Sequence, residues 1–173
     1  SEDELNTVRE LLEKSIALDS SNVDAQIQFS RSHYYHGNYD IAIPILKGLI
    51  NTCKETNQKK LLGRVYRNLA NVEYFVWGSG KGYLENMPSL NYLTKAAKIA
   101  RDNNDVEGYR TSMGNIINSF TWERNSKTSI DSVYYYTNQM FEYSKEIKSN
   151  EIAATAYLKL GRYYIYADED INY

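Results

Sequence analysis

Few residues in this chain have the type and spacing for chemistry. The two histidines, His33 and His36, stand three apart. On a helix that spacing puts both imidazoles on one face, the start of a two-nitrogen metal site. Asp40 is near in sequence, but no cysteine or acidic cluster completes a ligand set, so no metal is expected. His33 reads instead as a ring that packs, and His36 as a helix-end residue that favours the dipole when charged. The lone cysteine, Cys53, falls at apolar phase beside Leu49 and Ile50. Without a base marked out as its partner, it reads as a small buried hydrophobe rather than a nucleophile. The stretch Gly78-Ser79-Gly80-Lys81-Gly82 has the composition of a phosphate-binding loop. That loop needs a preceding strand, an early glycine and a hydroxyl residue after the lysine. Here Phe75 holds the early position and Gly82 follows Lys81, so a hairpin connection is expected. Acids such as Glu2, Asp3, Glu4, Glu10 and Glu13, and the run Asp168-Glu169-Asp170, are scattered without forming a carboxylate pair. No constellation points to an enzyme or to a cofactor.

The whole chain narrows the choice further. Its 173 residues are 42% hydrophobic and 24% charged with a net charge of −2, the profile of one folded domain with its own core. Basic residues are isolated, as at Lys59, Lys60, Arg64 and Arg67, so this segment carries no electrostatic footprint for nucleic acid. No run approaches the roughly 20 apolar residues that cross a bilayer, and no membrane contact is expected. One cysteine excludes an internal disulfide, which fits the cytoplasm and a bacterial periplasm alike. The start, Ser1-Glu2-Asp3-Glu4, has no signal-peptide character and no initiator methionine; a processed chain or a piece of a longer one is expected. Tyrosine is abundant, at 17 residues. Its apolar ring and polar tip suit helix interfaces and half-wet grooves.

These residues must be positioned by helices. Apolar residues recur with helical period almost throughout. Eight helices are expected, over residues 4–18, 23–36, 39–55, 59–77, 87–103, 106–122, 129–148 and 151–167, and no strand. Short polar turns separate them: Asp19-Ser20-Ser21-Asn22, Gly37-Asn38, Thr56-Asn57, Asn103-Asn104 and Ser149-Asn150. Each supplies capping residues or residues tolerant of the left-handed conformation. Short turns force successive helices antiparallel, so a row of helical hairpins follows.

Residues 23–50 hold the clearest unit. Phe29-Ser30, His33-Tyr34, Gly37-Asn38-Tyr39-Asp40 and Ala42 follow one another in an order that resembles a tetratricopeptide repeat. Asn68-Leu69-Ala70-Asn71, Ser112-Met113-Gly114-Asn115 and the segment from Ala156 to Tyr164 resemble the family's first helix. The small residues Ser30, Ala70, Gly114 and Gly161 recur at more than the family period, with extra residues at 78–83 and 123–127. The chain is thus similar to the long-helix relatives in bacterial, Bacteroidetes-type sensors and regulators. The resemblance implies an all-α, right-handed α-α superhelix forming a single domain over 1–173. Residues 1–22 would end a preceding repeat, 23–58, 59–105 and 106–150 would be repeats, and 151–173 would begin another. Hairpins that lack a neighbour leave apolar surface open. The native protein is therefore expected to continue past either end, or this piece to associate with a second copy.

In the family, first helices line the concave side and their free faces hold ligand. Transferred residue by residue, this implies Ile27, Arg31, Tyr34 and Tyr35 in the first full repeat, and Arg64, Arg67, Asn71, Tyr74 and Phe75 in the second. In the third it implies Thr111, Asn115 and Asn118, and in the last Leu158, Arg162, Ile165 and Tyr166. Arginine can hold a carboxylate on two points, and asparagine can pair with a peptide backbone. The resemblance implies a non-catalytic scaffold for a protein or peptide. A sensory or regulatory domain of a larger signalling protein is a second reading, and a dimerisation module using the open ends is a third.

Overall fold

Helix follows helix through the whole of this computed structural model, which describes residues 2–77, 88–121 and 127–169, with side chains over 6–76, 88–121 and 129–165. The eight helices are α1 (Glu2–Leu18), α2 (Val23–Tyr34), α3 (Tyr39–Glu55), α4 (Lys59–Trp77), α5 (Pro88–Asp102), α6 (Val106–Thr121), α7 (Lys127–Glu146) and α8 (Asn150–Glu169). Among the described residues there is no strand. The expected architecture stands, with helix ends moved by a few residues. The glycine-lysine stretch at 78–82 and the insertion at 123–126 lie outside the described residues.

Four of the connections share one geometry. Gly37, Asn57, Asn104 and Lys148 each take a positive φ, of 78°, 55°, 53° and 55°. Around each, two backbone bonds close the preceding helix. Asn38 N–H donates to His33 O and Gly37 N–H to Tyr34 O, and the same pair joins Gln58 to Cys53 and Asn57 to Lys54. It recurs with Asp105 to Ala100 and Asn104 to Arg101, and with Ser149 to Ser144 and Lys148 to Lys145. This double closure satisfies carbonyls that a helix end leaves orphaned. At the last turn the left-handed residue is Lys148, not the Ser149-Asn150 pair expected from composition; Asn150 already belongs to α8. The next helices are then capped by Asp105 Oδ1, 3.0 Å from Gly108 N, and by Ser149 Oγ, 3.4 Å from Ile152 N.

Each helix packs on its neighbour in sequence, and the even-numbered helices also touch one another, α2 with α4, α4 with α6 and α6 with α8. That places α2, α4, α6 and α8 on the side where the stack closes up, with α3, α5 and α7 outside. Small residues lie where helices crowd. Ser30 and Ala70 are buried, and a Cβ on Gly114 would come within 3.1 Å of the Lys159 side chain on α8. Gly161 faces open space, because no later described helix packs on it. Two apolar clusters fill the stack. One holds Ile27, Leu46, Leu49, Val65 and Leu69; the other holds Leu93, Ile116, Ile117, Met140 and Ile152. Burying each such side chain contributes roughly 1.5–3 kcal/mol before entropy is charged against it.

Candidate functional site

The inner face carries a polar row across four helices. Its centre is a cavity of about 190 Å³ between α4, α5 and α6. Asn71 and Tyr74 enter it from α4, Asn115, Asn118 and Ser119 from α6, and Ala70 and Leu93 form its apolar part. Asn71 and Asn115 are half-buried on neighbouring inner helices, with Asn118 one turn beyond Asn115. Each primary amide offers both donors and an acceptor, so the wall can pair with backbone N–H and C=O groups of an extended chain.

The structure adds a residue to this row that the sequence reading passes over. Lys159 of α8 is half-buried, and its Nζ donates to Asn118 Oδ1 at 2.8 Å. Burial, and secondarily the neighbouring Arg162, push its pKa below the ordinary lysine value. Among the described residues it has no carboxylate partner. It is a cation oriented by an amide and uncompensated by charge.

The arginines of α4 divide differently from expectation. Arg67 is mostly withdrawn from solvent, and its Nη1 lies 3.4 Å from Gly108 O. Burial lowers its pKa, opposed by the nearby Asp105. Arg67 therefore ties α4 to the start of α6. Arg64 pairs with Asp24 of α2 and ties α2 to α4. In this structure both make contacts between helices. On α2, Ile27 is fully buried and belongs to the core, contrary to expectation. Tyr34 is also buried, at 3% exposure, where an exposed groove position is implied. Helix α2 packs on α1, α3 and α4. The Tyr34 hydroxyl nevertheless reaches Tyr35 and Asn71; burial and the Tyr35 bond raise its pKa. Arg31 bonds the Tyr35 hydroxyl at 3.3 Å and lies over its ring at 5.7 Å. Bonds from Tyr34 and Arg31 lower the Tyr35 pKa.

The remaining positions are simpler. Phe75 is 52% exposed beside Tyr34 and Tyr74. Thr111 bonds Glu107 on its own helix at 3.1 Å. Leu158, Arg162 and Ile165 are exposed on α8, and the side chain of Tyr166 lies outside the described residues. The structure thus joins Asn71, Tyr74, Asn115, Asn118 and Lys159 in one place, with Tyr34, Tyr35 and Arg31 at its α2 end. His33 packs edge-on against Phe29 at 4.6 Å, and Cys53 is buried with its thiol pKa raised by burial. No group of three metal-ligating side chains occurs among the described residues. No described helix is long and apolar enough to cross a membrane.

These features define an all-helical stack of antiparallel pairs with an amide-lined inner groove. No family model matches the chain, and no curated protein matches it either.

Proposed function

We propose that this chain is a tetratricopeptide-like, non-catalytic scaffold whose inner groove binds an extended, acidic peptide segment of a partner protein. The observation that carries this reading is the cavity lined by Asn71, Asn115 and Asn118, with Lys159, a cation without a carboxylate partner among the described residues, held at its edge by Asn118. Amides supply the donors and acceptors that a peptide backbone requires. Tyr74 and Leu93 supply apolar contact, and tyrosine does so at small entropic cost. A half-buried lysine gains most when a carboxylate replaces the water it has lost. Selection from a random peptide display library tests this. Selected peptides are expected to be rich in Asp and Glu, and to lose about tenfold or more in affinity, about 1.4 kcal/mol, with Lys159→Gln or with Asn71→Ala plus Asn118→Ala. Peptides that bind these variants as well as the parent would place the partner surface elsewhere.

A further inference from the structure

A second cavity opens on the other side of α6. Helices α5 and α7 are bridged at one end, where Arg101 meets Glu146 and Tyr143, and beside that bridge the gap between them is floored by α6 residues two positions out of phase with the groove amides. It encloses about 440 Å³, within the range of small-molecule sites. Met113 and Ile116 make an apolar floor, Tyr135 and Tyr136 stand on the α7 side, and Lys98 and Arg101 stand on the α5 side.

Two properties limit what fits. The first is charge. Lys98 Nζ lies 2.7 Å from Asp102, and Arg101 Nη2 lies 2.8 Å from Glu146. Both rim cations are already matched, so the cavity has no unbalanced charge to attract an ion. Matched pairs do present donors and acceptors side by side, and the Thr94 hydroxyl and Gln139 amide add more. The second is Tyr109. It lines the cavity, is 3% exposed, and its hydroxyl has no hydrogen-bond partner among the described residues. Such an orphan costs about 1–3 kcal/mol. Burial holds its pKa up at about 12, so it stays a neutral donor and acceptor.

The geometry points to a neutral, polyhydroxylated ring, a pyranose sugar, as the ligand of this outer cavity. Sugar hydroxyls both donate and accept, as the mixed rim demands. The apolar C–H face of a pyranose fits the exposed Tyr135 ring and the Met113 floor. Tyr136, next to Tyr135, stacks on Phe120 at 5.7 Å.

Methyl-labelled methionine provides the probe, since Met113 lines the cavity and Met140 is fully buried in the core. Glucose, galactose, mannose and N-acetylglucosamine are titrated separately to tens of millimolar, about the range of weak single-site binding. At least one is expected to shift the Met113 methyl and leave Met140 in place, with an affinity unchanged by added salt, as for an uncharged ligand. Tyr135→Ala, at a 60% exposed position, is expected to weaken binding about tenfold, roughly 1.4 kcal/mol, and Tyr109→Phe to weaken it without lowering the melting temperature. Asn71→Ala plus Asn118→Ala, in the inner groove, is expected to leave the titration unchanged. No Met113 shift with any of the four sugars would overturn the assignment. So would a response to benzoate that exceeds the sugars and fades with salt, or sugar binding that survives Tyr135→Ala undiminished.

Discussion

His33 is the residue whose ionisation bears most directly on the first helices. Both its ring nitrogens are buried without partners among the described residues, and Arg9 of α1, itself bonded to Ser32 O at 3.1 Å, lies close by. Burial lowers the His33 pKa, Arg9 and His36 lower it further, and Glu13 of α1 and Asp40 of α3 oppose them only in part. The unfolded chain therefore holds the proton more tightly than the folded one. Stability is complete above the ordinary histidine value of about 6.5 and falls as pH drops from there towards the lowered folded value. Thermal melts across that window should show the loss. In His33→Phe, which keeps a ring against Phe29, the dependence in that window should flatten. An equal slope in both proteins would remove His33 as its source. Lys148 offers a second test at this scale. It holds φ of 55° at a turn closed like those of Gly37, Asn57 and Asn104, and a left-handed backbone costs a side-chain-bearing residue about 1–2 kcal/mol. Lys148→Gly removes that strain and adds freedom to the unfolded chain, for a net gain of about 0.5–1 kcal/mol. A higher denaturant midpoint at unchanged slope checks it.

At the scale of the helix, Pro44 lies exposed inside α3, where the Asp40 carbonyl loses the N–H that would have met it. A proline in a helix interior costs about 3 kcal/mol, and the stiffness it gives the unfolded chain returns about 1 at most. Pro44→Ala should therefore stabilise by about 1 kcal/mol or more, measured by equilibrium unfolding. Gly108 should respond the other way. An added Cβ would come 2.3 Å from Asp105 Oδ2 and 3.0 Å from Arg67 Nη1. Gly108→Ala is expected to break the Asp105 cap and cost about 0.5–2 kcal/mol. The helices themselves were legible because their apolar period is long and turn residues separate them. The turns at Gly37, Asn57 and Asn104 were legible because those residue types tolerate positive φ; Lys148 was not, because lysine carries no such preference. Within the groove, Asn71, Tyr74, Asn115 and Asn118 are positions that the tetratricopeptide resemblance implies. The resemblance implies Leu158 and Arg162 on α8 rather than Lys159, which packs beside Gly114 and meets Asn118. Residue type alone could not separate an arginine that ties two repeats, such as Arg67, from one free to bind.

For the whole molecule, the seam between α4 and α5 decides whether the stack behaves as one unit. Both apolar clusters draw on this pair. Val65, Leu69 and Ala96 belong to the first cluster, while Ala70, Leu93, Ala97 and Ala100 belong to the second. The helices come close because the facing residues are small; a Cβ on Gly63 would sit 3.6 Å from Ile99 and 3.9 Å from Ala96 O, in ordinary contact. In a linear stack, stability passes only between neighbours, so a weakened interface divides the chain where it lies. Ala96 is completely buried at this seam. Ala96→Leu would insert three carbons where no space exists, at a cost of about 1–3 kcal/mol. The cost should fall on the coupling between the halves more than on either half. A shallower unfolding slope, or two transitions in place of one, is then expected. Hydrogen exchange should show α2 and α3 opening apart from α6 and α7, instead of all four at a common free energy. The groove cavity spans α4, α5 and α6, so the same substitution should weaken peptide binding even though it touches none of the groove amides. If Ala96→Leu lowers stability but leaves a single transition of unchanged slope, the two clusters form one cooperative core and the seam has no special place in the fold.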